Sequence, residues 1–304
     1  MHAIVLKYFV EVARCGSIRK AAQNLFVASS AVNRQILKLE DELGVELFDR
    51  LPNGIRLNPS GERILQHIRT TLHDFQLLRT ELDAIKGVRT GHVSVVAMDS
   101  LFIDFLPTAI EEFSDFFPAV TYSILAESLS VVPELVATGD YDVGISFINK
   151  LPTGVEVVAS AALPPGIVMA SSHPLASREI IEYEDCAGYI FLTSGEKSPF
   201  HDIASPGHSR FWDSISAGIR CNSTPMLKRL ILAGKGLAIF SKVGFMKEIE
   251  SGEIVWRPLP EAEINKTKVG IFIPKQRALP HVTQQFIARQ VSRLKQLELA
   301  SKLY

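Results

Sequence analysis

Side chains that can hydrogen-bond to nucleic-acid bases recur at helical spacing after residue 29. Ser30, Asn33, Arg34 and Lys38 would share one face of a helix over residues 30–43, because they lie three or four positions apart. Asparagine can form two hydrogen bonds with adenine, and arginine can form two with guanine or bind a phosphate. The same residue types also cover the solvated face of small helical domains, so the pattern alone leaves both interpretations open.

The preceding residues predict the elements that would present this face. Residues 3–14 and 18–25 have apolar positions at helical spacing, and Ser17 suits the N-cap of the second helix. Ser29 is the predicted N-cap of the third helix, and Gly44 its end. Two short helices joined by a tight turn, with a third helix packed behind, form a helix-turn-helix pattern.

A short hairpin is predicted directly after these helices. Asn53-Gly54 lies between two short apolar stretches, which is a strong signal for a β-turn between paired strands. The hairpin would be a wing whose Arg50 and Arg56 can contact the phosphate backbone or the minor groove. The predicted DNA-binding residues are Ser17, Arg19, Lys20, Ser29, Ser30, Asn33, Arg34, Lys38, Arg50 and Arg56.

The charge of the chain is distributed unevenly. Its 304 residues carry a formal net charge of -1, which gives no global argument for a nucleic-acid or membrane partner. Residues 1–87, however, hold 12 Lys and Arg against 10 Asp and Glu, whereas residues 92–304 hold 19 against 23. A basic N-terminal part followed by an acidic remainder is a weak indication of nucleic-acid contact at the basic end.

A long helix is predicted from Asn58-Pro59 to about Lys86. Its apolar positions recur every three or four residues, close to a coiled-coil period. They are Ile64, Ile68, Leu72, Phe75, Leu78, Leu82 and Ile85. The helix could pack on its own domain, but a small domain would bury little of it, so a homodimer seam is the better explanation. Gly87–Gly91 is a predicted hinge.

Strand and helix patterns alternate from residue 92 onward. Apolar runs at 92–98, 121–126, 142–147 and 166–170, with helical patterns between them, predict an α/β fold with doubly wound, largely parallel sheets. Ligands bind such sheets at the carboxyl ends of the strands. Serine and threonine recur in five loops at these ends, although each hydroxyl alone could be a helix N-cap. The candidate ligand-binding residues are Ser100, Leu101, Ser128, Phe147, Thr193, Ser194, Ser223 and Thr224.

The sequence gives only weak indications of catalysis, cofactor binding or metal binding. Gly207-His-Ser-Arg-Phe lacks the second glycine of a nucleophile elbow, and Gly234-Lys-Gly lacks the third glycine of a dinucleotide fingerprint. His201, Asp202 and His208 could ligate a metal, but solvated loop histidines are far commoner. The three cysteines form no CxxC motif, which favours a reducing cytosol without disulfides. We expect no enzymatic activity, cofactor, metal site or membrane span.

One segment resembles a known family. YFVEVARCGSIRKAAQNLFVASSAVNRQILKLEDELGVELFDRLPNGIRLNPSGERIL, residues 8–65, resembles the winged helix-turn-helix of LysR-type transcriptional regulators. The match to the family pattern GS(F/I)xxAAxxLxVxxxAVSRQIxxLExxLGxxLFxR runs without gaps. The segment Ala28-Ser-Ser departs from the usual Ser-Gln-Pro or Ser-Gln-Ser, and Asn33 replaces a serine. These positions would face the groove, so the preferred operator should differ from that of typical relatives.

The resemblance implies three functional segments. They are a winged helix-turn-helix DNA-binding domain (1–58), a linker and dimerisation helix (59–87) and an α/β effector-binding domain of periplasmic-binding-protein type (88–304). The last would have two lobes. We call residues 92–163 with 266–304 lobe one, and residues 164–265 lobe two.

The resemblance also implies partners and location. A cytoplasmic homodimer or homotetramer would bind an operator in double-stranded DNA and respond to a small-molecule effector in the interlobe cleft. Hydroxyls beside helix N-termini favour an anion, and Leu101 and Phe147 add apolar surface, so we expect a partly hydrophobic organic acid. The alternative is a solute-binding or enzymatic α/β domain with a helical N-terminal extension. It would need a secretion signal or a catalytic constellation, and the sequence shows neither.

Overall fold

The structure, a computed structural model, describes residues 3–51, 54–85, 90–194, 205–275 and 277–303. The chain divides into two compact units, Met1–Val88 and Arg89–Tyr304. Asn53 of the predicted turn, Gly87 of the predicted hinge, and His201 and Asp202 lie outside the described residues.

The N-terminal unit is a three-helix cluster with a hairpin and a long helix. Its helices are α1 (Ala3–Cys15), α2 (Ile18–Asn24), α3 (Ser29–Leu43) and α4 (Pro59–Ile85), and its strands are β1 (Phe48–Leu51) and β2 (Gly54–Leu57). The strands pair antiparallel. Phe9, Val12, Val32, Ile36 and Ile68 are buried in one core, which fixes α3 against α1 and the start of α4.

Backbone contacts hold the hairpin beside the helices. Gly54 has φ +142°, and a Cβ atom there would lie 2.5 Å from the carbonyl oxygen of Gly16, between α1 and α2. The next residue, Ile55, donates its backbone N–H to that same carbonyl at 3.0 Å. Glycine at position 54 therefore permits the close approach that positions the wing.

Of the two predicted N-caps, the structure confirms Ser17 and contradicts Ser29. The Ser17 hydroxyl accepts the backbone N–H of Lys20 at 3.3 Å, which confirms it as the cap of α2. The prediction for Ser29 is wrong by one position, because Ala28 is the residue with extended backbone and Ser29 is already helical. Ala28 has no side chain that could cap α3, so the first N–H groups of α3 lack a side-chain cap.

Helix α4 has two halves with different surroundings. Ile64, Ile68 and Leu72 contact the core of their own domain, as the simpler interpretation of this helix required. Phe75 and Leu78, farther along, are exposed. The predicted seam is therefore limited to the second half of α4, and Leu72 belongs to the domain core.

The C-terminal unit contains two sheets with helices around them. Its strands are β3 (Thr90–Ala97), β4 (Ala119–Ala126), β5 (Val143–Phe147), β6 (Val155–Ala162), β7 (Pro165–Ala170), β8 (Ile190–Thr193), β9 (Ser216–Arg220), β10 (Ala238–Ser241), β11 (Ile254–Pro258) and β12 (Lys268–Pro274). Its α-helices are α5 (Phe105–Phe116), α6 (Val131–Ala137), α7 (Pro206–Ser214), α8 (Thr224–Leu232), α9 (Met246–Glu250), α10 (Ala262–Asn265) and α11 (His281–Ser301). Short 3-10 helices include Asp99–Phe102 and Lys242–Gly244.

The two sheets have the same strand pattern. The sheet of lobe one has the order β4-β3-β5-β12-β6. In lobe two β10, β7 and β11 pair in that order, β8 pairs with β9, and a parallel bridge between Phe191 and Leu237 links β8 to the start of β10. The resulting order, β9-β8-β10-β7-β11, matches that of lobe one.

The expectation of largely parallel sheets needs correction, because each sheet is mixed. In lobe one β12 pairs antiparallel with both neighbours, and in lobe two β7 does the same. Each reversed strand follows the segment that brings the chain over from the other lobe. The predicted hinge is also shorter than expected, because Thr90 and Gly91 already pair with β4.

Candidate nucleic-acid interface and interlobe site

The outer face of α3 carries the predicted base-contacting residues. Ser29, Ser30, Arg34 and Lys38 are exposed, and Asn33 is half-buried. Lys38 lies 3.6 Å from Glu42, an exposed pair that contributes little to stability. Arg34 forms no ion pair with any described residue, so its guanidinium group can bind a ligand. This face can therefore offer hydrogen-bond donors to an anionic partner.

The N-terminus of α3 adds backbone donors beside these side chains. The first N–H groups of a helix have no partner within it, and here the N-cap residue supplies no side-chain hydrogen bond. Such a helix end binds anions well, because its N–H groups and its dipole both favour negative charge. A phosphate next to Ser29 would satisfy donors that the cap residue leaves open.

The remaining predicted DNA contacts lie on α2 and the hairpin. Arg19 and Lys20 are exposed on α2, shortly after the half-buried Ser17. Arg50 and Arg56 are exposed on the wing, where Arg56 lies 3.6 Å from Asp49 on the paired strand. The exposed cations of α2, α3 and the wing thus belong to one unit.

The N-terminal unit contains a carboxylate network that the motifs above do not predict. Glu11 accepts hydrogen bonds from the Arg14 side chain, from Asn24 Nδ2 at 2.8 Å and from Cys15 Sγ at 3.3 Å. These donors, Arg14 foremost, lower the pKa of Glu11 from 4.5 to about 2. Glu11 therefore ties α1 to the end of α2. Its isolation was the available signal, because the next acidic residue is Glu40.

In lobe one, three of the candidate loops start at one edge of the sheet. The Met98 N–H donates to the Ile145 carbonyl at 3.0 Å, and the Glu127 N–H donates to the Ala97 carbonyl at 3.0 Å. These bonds align the ends of β3, β4 and β5. Of the predicted residues there, Ser100, Leu101 and Phe147 are buried, whereas Ser128 is exposed and its hydroxyl lies 3.4 Å from that of Ser130.

In lobe two, the candidate residues surround the start of α8. The Cys221 N–H donates to the Thr193 carbonyl at 2.9 Å, which places the end of β8 beside the loop that enters α8. Thr193 is 5% exposed, and its hydroxyl has no hydrogen-bond partner among the described residues. Ser194 is exposed, Ser223 is an N-cap without a side-chain hydrogen bond, and Thr224 is buried.

One short polar contact between the lobes involves a residue that the sequence patterns do not predict. Asp99 Oδ2 accepts the backbone N–H of Thr224, the first residue of α8, at 2.5 Å. The helix N-terminus expected to bind an anion thus already holds a carboxylate. Asp99 follows β3 in the same loop as Ser100, so its charge was visible in the sequence, but its partner lies 125 residues away.

Two further contacts bring the lobes together near Asp99. Lys247 of α9 pairs with Asp104, which precedes α5. A Cβ atom at Gly244 would lie 3.0 Å from the Ser100 carbonyl oxygen, so the backbones of the two lobes approach closely there. Ser100, Asp99 and Thr224 are therefore neighbours at the lobe boundary.

Comparison with known families identifies the chain. A family model described as LysR substrate binding domain matches residues 86–294, and one described as bacterial regulatory helix-turn-helix protein, lysR family, matches residues 5–62. The chain belongs to the LysR family of transcriptional regulators. The resemblance of the N-terminal sequence to this family is thereby confirmed, and the family's members are regulators rather than enzymes.

Relatives and solved structures of the LysR family cover nearly the whole chain. The transcriptional dual regulator GltC of Bacillus subtilis is 27% identical, over 96% of this chain and 98% of GltC. The structure of a full-length OxyR variant from Pseudomonas aeruginosa has a TM-score of 0.62 at 21% identity, covering 97% of this chain and 95% of that one. CbnR in complex with its target DNA has a TM-score of 0.56 at 20% identity, covering 97% and 100%. These structural likenesses show a shared fold.

His208, one of the three candidate metal ligands, does not lie in a solvated loop. His208 is in α7 rather than in a solvated loop, and it is fully buried, with Nδ1 2.8 Å from the Tyr183 hydroxyl. Burial lowers the pKa of His208. Within the described part of the chain, no group of three or more potential ligands could hold a metal ion, and no helix is long and apolar enough to cross a membrane.

Proposed function

We propose that this LysR-family protein binds an operator in double-stranded DNA as a homodimer or homotetramer and responds to a small organic acid between its lobes. The observation that carries the proposal is the exposed face of α3, where Arg34 forms no ion pair with a described residue and the N-cap residue makes no side-chain bond. On this proposal the protein works in the cytoplasm, where its operator lies.

The chemistry of the α3 face fits a DNA groove. Arg34 and Asn33 offer hydrogen bonds to base edges, whereas Ser29 and the first N–H groups of α3 suit a phosphate. Arg19, Lys20 and the wing arginines would hold the backbone on either side and fix the register of α3. A relative of the same fold, CbnR, has been solved with its target DNA.

The second half of α4 supports a dimer. Phe75, Leu78 and Leu82 follow each other at intervals of three and four residues, and each exposes about half of its surface or more. A stripe of this kind is the pattern of a helix that packs against another helix. A dimer would present two α3 faces to two half-sites, whose spacing the protein's symmetry would set.

The interlobe residues support a small anion as effector. Thr224 begins α8 at the boundary, and the hydroxyl of the buried Thr193 lacks a partner among the described residues. Leu101 and Phe147 pack in the hydrophobic core at the ends of β3 and β5, directly behind the polar loops. On this proposal an organic acid combines a carboxylate for the helix end with a carbon skeleton that reaches this apolar layer.

Footprinting on the DNA upstream of the protein's own gene tests this function. We expect protection of two half-sites one helical turn (about 34 Å) or a multiple of it apart, weakening steeply as salt rises. Added organic acids should change the length or strength of the footprint. Absence of any protection at low salt, with a folded protein, would contradict the proposed DNA-binding function.

A further inference from the structure

The contact between Asp99 and α8 satisfies a helix end with a charge from the opposite lobe. Asp99 starts the 3-10 helix Asp99–Phe102 in lobe one, and its carboxylate accepts the Thr224 N–H at 2.5 Å. Ser223, the N-cap of α8, makes no side-chain capping bond. The position where a helix most favours negative charge is thus filled by the protein's own carboxylate.

A second observation, an unsatisfied buried hydroxyl, belongs to the strand end beside this helix. Thr193 lies beside the loop that enters α8, and its hydroxyl is buried without a partner among the described residues. A buried hydroxyl that makes no hydrogen bond costs free energy, so its retention calls for a group that it can bind. The Asp99 carboxylate uses the helix N–H but leaves this hydroxyl unsatisfied.

We propose that Asp99 occupies the place of the effector's anionic group, and that an organic carboxylate binds by displacing Asp99 from the N-terminus of α8. The inference rests on the proposed sensing function and gives it a mechanism. In the free protein Asp99 acts as an internal ligand that helps to hold the lobes together. The effector's carboxylate takes over the Thr224 N–H and adds a hydrogen bond from Thr193.

Charge explains why the effector must displace Asp99 rather than bind next to it. Two carboxylates at one helix end repel each other, and a nearby free cation would be needed to hold both. Among the described residues, three lysines along this boundary already have partners. Lys228 lies 2.7 Å from Glu248, Lys247 pairs with Asp104, and Lys242 donates to the Ser301 carbonyl at 2.7 Å.

Displacement also supplies a signal. Release of Asp99 removes one of the bonds between the lobes, while the pair of Lys247 with Asp104 remains. The effector therefore binds one arrangement of the lobes more tightly than the other. This difference in affinity can shift the equilibrium between the two arrangements. Couplings of this kind usually change an affinity by about 5–150-fold.

The test measures how the full-length chain binds simple carboxylates in the absence of DNA. Sodium acetate, succinate and benzoate are titrated calorimetrically into wild type, Asp99→Ala and Asp99→Asn. We expect Asp99→Ala to bind at least one of them about tenfold more tightly than wild type, because the internal competitor is gone. Asp99→Asn keeps a neutral acceptor near Thr224 and should show a smaller gain in the same direction.

Asp115→Asn is the matched control, since it removes an exposed carboxylate from α5 of lobe one without freeing a cation at the boundary. Its affinity should stay close to that of wild type. Equal or weaker binding by both Asp99 variants, or the same gain in Asp115→Asn, would overturn the proposal, and melting curves verify that each variant is folded. Because no DNA is present, failure to bind an operator would contradict the proposed function without affecting this result.

Discussion

The two units of the molecule build their candidate sites in opposite ways. The proposed DNA-binding surface comes from one continuous stretch, residues 17–56, in which α3 supplies most of the contacts. The interlobe site draws on loops that the sheets bring together, and its contact between Asp99 and Thr224 joins residues 125 positions apart. Local spacing therefore determines the first site, whereas long-range pairing determines the second.

The largest expected effect concerns the dependence of operator binding on dimerisation through α4. Phe75→Asp combined with Leu78→Asp places two charges in the proposed α4 seam, where burying them unpaired is costly. Light scattering should show a monomer, and operator affinity should fall by at least about a hundredfold, since linked half-sites typically gain roughly 10²–10⁴ in affinity. Wild type is expected to be a dimer or tetramer.

A matched double variant tests whether the effect comes from the seam. Gln66→Asp with Thr70→Asp adds the same charge to exposed positions in the first half of α4 and should leave assembly unchanged. A wild type that is monomeric at micromolar concentration would remove α4 as a dimerisation element.

The comparison also explains how much of the molecule could be predicted from sequence. The helices of the N-terminal unit and the exposed face of α3 follow from apolar spacing within single elements. The N-cap of α3 was misplaced by one position, because Ala28 is the residue outside the helix and no local pattern distinguishes it from Ser29. In the N-terminal unit the error is therefore one residue at the start of α3.

Less of the C-terminal unit could be predicted from its sequence. Its α/β class followed from the alternation of patterns, but β9, β11 and α7 were not predicted, and the reversal of β7 and β12 depends on where the chain crosses between lobes. His208 was expected in a solvated loop and is buried, since tertiary contacts with Tyr183 decide its environment. Asp99 could not be assigned to α8 by any spacing rule.

The next effect concerns the stability of the N-terminal unit. Its hydrogen bonds hold the pKa of Glu11 at about 2, so this carboxylate stabilises the fold fully above pH 4.5, and the contribution is lost as the pH falls from 4.5 towards 2. Glu11→Gln should lower the free energy of unfolding by about 2 kcal/mol at pH 7, and the difference should shrink over that pH range.

Urea unfolding can resolve this change by unit. Both tryptophans, Trp212 and Trp256, lie in the C-terminal unit, so their fluorescence reports that unit alone, whereas circular dichroism reports both. Only the dichroism transition should shift in Glu11→Gln. The exposed Glu46→Gln serves as control, and an equal loss of stability at neutral pH and at a pH near the folded-state pKa would show that Glu11 does not act through its charge.

A smaller expected effect concerns the stability of the C-terminal unit. Thr193→Val removes a buried hydroxyl that has no partner among the described residues, so the free energy of unfolding should rise by about 1 kcal/mol. Thr267→Val removes a buried hydroxyl that donates to the Ile264 carbonyl at 2.7 Å, so the same change should cost about 1 kcal/mol there. Tryptophan fluorescence during urea unfolding measures both, and equal destabilisation would mean that Thr193 is satisfied within the fold.

The smallest effect returns to the helix-turn-helix. Phe26, in the turn between α2 and α3, has φ +56° and is 95% exposed. Asparagine tolerates this left-handed conformation better than phenylalanine, so Phe26→Asn should stabilise the N-terminal unit by up to about 1 kcal/mol. The exposed Ile4→Asn on α1 should bring no such gain. A loss of stability in Phe26→Asn would show that the phenylalanine ring contributes to the fold.

The central claim, that the α3 face binds DNA, is tested most directly by fluorescence anisotropy with the footprinted operator. Arg34→Ala should lower affinity by about 1–3 kcal/mol, roughly tenfold to over a hundredfold, because it removes a contact to a base or a phosphate. Lys7→Ala removes the same charge from the exposed surface of α1 and should bind almost as well as wild type. If Arg34→Ala and Lys7→Ala bind the operator equally well while remaining folded, α3 is not the surface that meets DNA.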